Sequence, residues 1–157
     1  MKWLLIAVLI AVIMLIAYSL SEQYKDRYDF YLNLKQFLAE LKINVAFKQD
    51  KLDKFLSARN SKKSFKLFVD AYFNYLKTNQ LDLTALKLLD DSEKKDLNRI
   101  ILSIGKFDKT NEINQLDGFL LSVENKLKSA EESKTKMCPM IIKLSLLFAV
   151  AVAILLI

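Results

Sequence analysis

Two strongly apolar stretches, residues 3–20 and 141–157, bracket this chain of 157 residues. The first contains no charged residue, and a helix of about 18 residues covers about 27 Å, close to the ~30 Å hydrocarbon core of a bilayer. The second apolar run begins near Met137, and a helix from there to residue 157 reaches about 31 Å. The sequence therefore predicts two transmembrane helices, residues 3–20 and 137–157, with a domain of residues 21–136 between them.

A cleaved signal peptide is the alternative interpretation of the first stretch. Lys2 precedes it, and the small residues Ala17 and Ser19 resemble a cleavage site. The apolar core of a signal peptide is only about 7–15 residues long, however, and this run is longer. We therefore expect a retained membrane anchor and keep cleavage as the alternative.

The second stretch contains one charged residue, Lys143. A lysine costs roughly 2.5–3.5 kcal/mol at the centre of a bilayer but less near its edge, where the side chain extends to the headgroups. We predict that Lys143 contacts lipid phosphates, and that Pro139 forms the turn at which the chain enters the membrane.

Cations also flank the two predicted spans on the side of the central domain. Lys25 and Arg27 follow the first span, and Lys134 and Lys136 precede the second. Because positively charged segments next to a span stay in the cytoplasm, we predict a cytoplasmic central domain. These four residues and Lys143 form the predicted membrane interface.

The central domain is predicted to be all-α, because Gly105, Gly118 and Pro139 are the only glycines and proline of the chain and bound no strands. Apolar residues recur at helical spacing, and shorter helices are predicted between them. The longer predicted helices carry their apolar residues within 34–45, 65–76, 97–104 and 113–127, and the shorter ones lie around 52–56 and 81–89. The predicted fold is a small bundle of five or six helices flanked by two single transmembrane helices.

Local signals refine this prediction at three points. Asp90 or Asp91 is a candidate N-cap for the helix that carries the apolar residues of 97–104, with Glu93 in its first turn, and Gly105 is a candidate end of it. Asp108 or Thr110 is a candidate N-cap for the last helix. The apolar residues of that helix follow a heptad-like seam, as in a coiled coil, and the helix is predicted to continue into the second span.

Aromatic side chains form a stripe on the helix that starts near residue 65. Such a stripe usually belongs to a protein core, but an exposed one can bind a partner, and both interpretations stay open. Neighbouring lysines would form an electrostatic rim around a partner-binding face. The predicted partner-binding residues are Lys62, Lys63, Phe65, Lys66, Phe68 and Tyr72.

The sequence offers little material for catalysis. It has no histidine and a single cysteine, Cys138, so the side chain most often used for proton transfer and metal binding is missing. It also lacks a glycine-rich phosphate loop and a serine nucleophile motif. We expect no enzymatic activity, catalytic residue, metal or cofactor. The net charge of +6 is spread over interspersed acidic and basic residues, which argues against nucleic acid and favours membrane lipid as a partner.

Several features, in their order along the chain, resemble the stage III sporulation protein AB family. They are the segment LKQFLAELKI at 34–43, Ile104–Gly105, Asp108–Gln115, Lys136–Met137 and the apolar end at 154–157. The resemblance implies a component of the channel apparatus between mother cell and forespore. It also implies a six-helix soluble domain similar to the inner-membrane platform protein of type II secretion systems.

On this resemblance we expect a non-enzymatic platform subunit in the mother-cell membrane facing the forespore. It would link a cytoplasmic secretion-type ATPase to the other membrane proteins of the sporulation channel. The alternative is an anionic-lipid-binding or envelope-structuring membrane protein unrelated to secretion. The sequence leaves homo-oligomerisation open.

Overall fold

The computed structural model describes residues 2–45, 63–106 and 108–156. These residues are 88% helical and contain no strand. Their helices are α1 (Lys2–Ile43), α2 (Lys63–Thr78), α3 (Asp91–Ser103) and α4 (Lys109–Leu156). The predicted all-α fold is confirmed, with a helix count close to the prediction, and the short helix predicted around 52–56 lies outside the described residues.

The chain forms two compact units. One comprises Met1–Tyr28 and Ser129–Ile157, and it contains the apolar parts of α1 and α4. The other, the helical bundle, comprises Asp29–Lys128. The bounds of α1 and α4 confirm that the first and last helices of the bundle continue into the apolar segments. The predicted boundaries at residues 20 and 137 refer to a bilayer and stay predictions.

Both long helices contain an apolar window long enough to cross a membrane. Within the protein, only 17% of the window on α1 and 11% of the window on α4 is buried. A core helix of a soluble protein would be mostly buried. The two apolar helices therefore fit association with a membrane.

Aromatic rings from α1 and α2 form the centre of the bundle. Phe30 and Phe37 of α1 meet Phe65 and Phe68 of α2 with ring centroids 5.8–6.2 Å apart. All four side chains are at most 1% exposed. These centroid distances lie in the range that aromatic pairs prefer, so α2 packs on α1 through its aromatic stripe.

The predicted caps of α3 are present. The carboxylate of Asp90 accepts a hydrogen bond from the backbone N–H of Glu93 at 2.8 Å, and the carboxylate of Glu93 accepts one from the N–H of Asp90 at 3.1 Å. This reciprocal capping box satisfies two N–H groups at the start of the helix. After Ile104 the chain leaves the helix at Gly105, whose φ of 78° is readily adopted only by glycine.

The segment between α2 and α3 is not the helix predicted over 81–89. The carboxylate of Asp82 accepts hydrogen bonds from the hydroxyl and the N–H of Thr84 at 2.7 and 2.9 Å, and these local bonds compete with helix formation. The same bonds hold the pKa of Asp82 below its usual value. The apolar spacing that suggested a helix serves packing instead. Its buried residues are Leu83, Leu86 and Leu89.

Pro139 lies inside α4, so the predicted turn at this position is wrong. A proline removes one backbone hydrogen bond and crowds the carbonyl one turn earlier. Helices in membranes tolerate this because neighbouring helices and small local adjustments compensate for the lost bond. A single helix therefore carries the chain through the predicted point of entry.

Candidate docking surface and membrane interface

The structure places the three predicted docking aromatics in the interior of the bundle. Phe65, Phe68 and Tyr72 are 0%, 1% and 1% exposed. The spacing identified the correct face of α2, but Phe30 and Phe37 of α1 cover that face. A side chain in such a position presents no surface to a partner. The predicted docking role of these three residues is therefore corrected to a core role, the other interpretation of the stripe.

The predicted lysine rim is only partly described. Lys66 is exposed on α2. Lys62 and the side chain of Lys63 lie outside the described residues. The docking role of Lys66 stays a prediction, and a docking surface on the bundle has to be built mainly from other residues.

A polar cluster inside the bundle joins the end of α3 to the start of α4. The carboxylate of Glu112 is buried and accepts a hydrogen bond from the N–H of Gly105 at 2.8 Å. Burial first, and then the negative charge of Glu112, raise the pKa of Tyr72 well above its usual value. The phenol of Tyr72 therefore stays protonated, and the cluster has a structural role.

A second polar cluster lies where α1, α3 and α4 meet in the bundle. The hydroxyl of Tyr31 donates a hydrogen bond to the buried carboxylate of Glu93 at 2.6 Å. Beside it, Lys126 pairs with Asp96 at 2.7 Å. These residues line a cavity of about 20 Å³, which holds about one water molecule. Only the capping role of Glu93 had a sequence signal, because its partner Tyr31 lies 62 residues away.

Three of the predicted interface cations interact within the protein. The ammonium group of Lys134 lies 3.9 Å from the centroid of the Tyr28 ring, which ties α4 to α1 through a cation–π contact. The ammonium group of Lys25 lies 5.9 Å from the centroid of the Tyr18 ring. Arg27 also has an interaction within the protein. These three side chains therefore have structural neighbours in addition to any lipid.

The other two interface cations differ from these three. Lys136 and Lys143 are exposed, and neither forms an ion pair within the part of the chain that the structure describes. Both lie on α4. Their contact with lipid stays a prediction.

The apolar parts of α1 and α4 pack against each other in antiparallel register. The thiol of Cys138 donates to the carbonyl of Ser21 at 3.5 Å, and the hydroxyl of Ser145 lies 3.9 Å from the sulfur of Met14. Cys138 thus lies beside Ser21, and Ser145, seven residues later on α4, lies beside Met14, seven residues earlier on α1. Three of these four residues, Ser21, Cys138 and Ser145, are small, which lets the two helices approach closely.

No group of three or more potential metal ligands occurs in residues 2–45, 63–106 and 108–156. A helical bundle that shares its first and last helices with two apolar segments defines an all-helical protein, and its two apolar helices fit association with a membrane. The sequence matches the family model of stage III sporulation protein AB over residues 2–157. The chain therefore belongs to the stage III sporulation protein AB family, a family of structural sporulation proteins, as its motifs predicted. No curated protein and no solved structure matches the chain.

Proposed function

We propose that this protein is a non-enzymatic platform subunit of the sporulation channel. It holds a cytoplasmic secretion-type ATPase at the mother-cell membrane and links it to the other membrane proteins between mother cell and forespore. One observation carries the proposal. Helices α1 and α4, of 42 and 48 residues, run without a break from the bundle into the apolar segments. A partner bound to the bundle is thus connected to both apolar segments through residues of these same two helices.

The interior of the bundle supports a structural role. Its buried carboxylates, Glu93 and Glu112, accept hydrogen bonds from groups of the protein itself. The cavity beside Glu93 has room for about one water molecule and not for a substrate. These polar groups stabilise the junctions between helices, which is the task of a scaffold.

The surface charges support a cytoplasmic bundle. Lys25, Lys134 and Lys136 lie between the bundle and the apolar segments. Lysines next to a span favour the cytoplasmic side, where the membrane surface is negative. An ATPase that consumes cytoplasmic ATP would meet the bundle on this side.

The outer face of α3 is the docking surface that we propose in place of the buried aromatics. Leu97, Ile100 and Ile101 point into the core, so Lys95 and Arg99 lie on the opposite face, where both are exposed. Neither forms an ion pair among the described residues. Like charges one helical turn apart repel each other by a few tenths of a kcal/mol. An acidic surface on the partner would offset this repulsion.

Co-purification from sporulating cells tests the proposal with the full-length protein in detergent. We expect the ATPase and other channel proteins to copurify with the wild type, and the double variant Lys95→Glu/Arg99→Glu to lose the ATPase. The control variant Lys87→Glu/Lys109→Glu reverses two exposed lysines elsewhere on the bundle and should retain it. If no channel protein copurifies with the wild type, the platform function is wrong. If the ATPase copurifies with the wild type and equally well with the Lys95→Glu/Arg99→Glu variant, the proposed docking surface is wrong.

A further inference from the structure

We infer that Lys136 and Lys143 form a site on the outer face of α4 for the phosphate of an anionic phospholipid. This inference goes beyond the platform function, because it concerns a specific lipid rather than a protein partner. Residues seven apart lie on the same face of a helix, two turns from each other. Both lysines are exposed. Glu132, one turn before Lys136, forms no ion pair with it among the described residues.

This face of α4 points away from α1. Cys138 and Ser145 make the contacts with α1, and Ala149 is buried on the same side. At 3.6 residues per turn, Lys143 lies roughly 200° around the helix from Ser145. The ammonium group of Lys143 is therefore turned to the surroundings of the helix pair and not into it.

The register of the two helices gives the depth of Lys143. Since Ser145 is level with Met14 and Cys138 with Ser21, Lys143 is level with Ile16. It thus lies roughly four residues, or about 6 Å, inside the end of the uncharged stretch of α1 at residue 20. Side chains of a helix lean toward its N-terminus. Lys143 therefore leans out of the apolar segment toward Lys136, the direction in which a lysine reaches headgroups.

The neighbouring residues favour a lipid over an acidic protein side chain. Met140 lies between the two lysines on the same face, and Leu147, Val150 and Ile154 continue this face deeper into the segment. All four are exposed and apolar, which matches the acyl chain below a phosphate. An acidic side chain of a partner helix would have to be buried at the same depth, which is costly.

The test uses a tryptophan reporter in the full-length protein. Trp3→Phe removes the single native tryptophan, and Met140→Trp places a new one at the site. The protein is reconstituted in bilayers that contain phosphatidylcholine and phosphatidylglycerol, one of which is brominated. We expect brominated phosphatidylglycerol to quench the fluorescence of this tryptophan more than its fraction of the bilayer predicts, which would show a preference of the site for phosphatidylglycerol. Lys143→Gln or Lys136→Gln should lower this preference about fivefold, the effect expected for one lysine at an anionic surface.

Lys128→Gln is the matched control, because it removes an exposed lysine of α4 before the predicted span. It should leave the preference unchanged, and Lys143→Arg should retain it. Native mass spectrometry of the protein without the reporter should show bound phosphatidylglycerol that millimolar glycerol 3-phosphate does not displace. Equal effects of Lys128→Gln and Lys143→Gln would overturn the inference. Displacement of the bound lipid by glycerol 3-phosphate would also overturn it. So would a Lys143→Gln variant that keeps its preference for phosphatidylglycerol but loses a copurifying membrane protein, because Lys143 would then contact that protein.

Discussion

Phe68 lies at the centre of the aromatic core, so its replacement tests how much the aromatic stripe contributes to the stability of the bundle. It is 1% exposed, and its ring lies 5.2–6.3 Å from those of Phe30, Phe37, Phe65 and Tyr72. We predict that Phe68→Ala lowers the free energy of unfolding by about 3–5 kcal/mol, since it leaves a cavity in a packed core.

For a bundle of this size, that loss corresponds to a fall in melting temperature of more than about 10 °C. Circular dichroism of the full-length protein in detergent measures it. The neighbouring Leu67 is 40% exposed, so Leu67→Ala should shift the melting temperature by only a few degrees. Similar melting temperatures for the two variants would contradict a core role for the stripe.

The hydroxyl of Tyr31 can be removed without changing the ring, so the contribution of its hydrogen bond to stability can be measured separately. Its hydroxyl donates to the buried carboxylate of Glu93 at 2.6 Å. Tyr31→Phe keeps the ring and removes this donor, which should cost about 1–3 kcal/mol because the carboxylate stays buried with one partner fewer. In thermal melts, Glu93→Gln combined with Tyr31→Phe should cost less than the two single changes added together. Additive losses would mean that the two side chains act independently.

At the level of elements, ion pairs connect the helices of the bundle along α4. Lys35 pairs with Glu124 at 2.6 Å and joins α1 to α4, while Lys126 pairs with Asp96 at 2.7 Å and joins α3 to α4. Exposed pairs of this kind contribute little individually. Together they join α4 to both of its neighbours at the surface of the bundle.

The pair between α3 and α4 predicts a dependence on pH. The hydrogen bond from Lys126, and then its positive charge, lower the pKa of Asp96 below its usual value. A carboxylate with a lower pKa in the folded state stabilises the fold above its unfolded pKa, and this contribution disappears as the pH falls through the folded pKa. As the pH falls below about 4, the ordinary pKa of an aspartate, the melting temperature of the wild type should therefore fall more steeply than that of Asp96→Asn.

The size of this difference is limited because the side chain of Asp96 is 46% exposed, where solvent screens the pair. Asp70→Asn removes an exposed carboxylate of α2 and serves as the charge-matched control. Parallel acid curves for Asp96→Asn and the wild type would show that the pair adds nothing to stability.

For the molecule as a whole, the sequence predicted what is encoded within one element. The apolar segments, the capping box of Asp90 and the apolar face of α2 all have local signals. The covering of that face by Phe37 and the bond from Tyr31 to Glu93 depend on contacts distant in sequence, which spacing does not reveal. The helix predicted over 81–89 failed for a local reason, since the hydrogen bonds of Asp82 compete with helix formation.

The antiparallel register of α1 and α4 is another feature that no local pattern encodes, and it can be tested by cross-linking. Cys138 is free and buried, and its thiol lies 3.5 Å from the carbonyl of Ser21, 117 residues away in the chain. The hydroxyl of Ser21 makes no hydrogen bond among the described residues, so replacing it removes none. We predict that Ser21→Cys forms a disulfide with Cys138 under mild oxidation, visible as faster migration in non-reducing gels.

Leu20→Cys is the control for this cross-link, because Leu20 is adjacent but 44% exposed. A disulfide needs Cα atoms about 4.4–6.8 Å apart and converging side chains, so the Leu20 variant should stay reduced. A second pair, Met14→Cys with Ser145→Cys in a Cys138→Ala background, should also cross-link. Both pairs can form only if the first apolar segment is retained and lies antiparallel to the second in this register. Efficient oxidation of the Leu20 variant would show that α1 is rotated relative to α4.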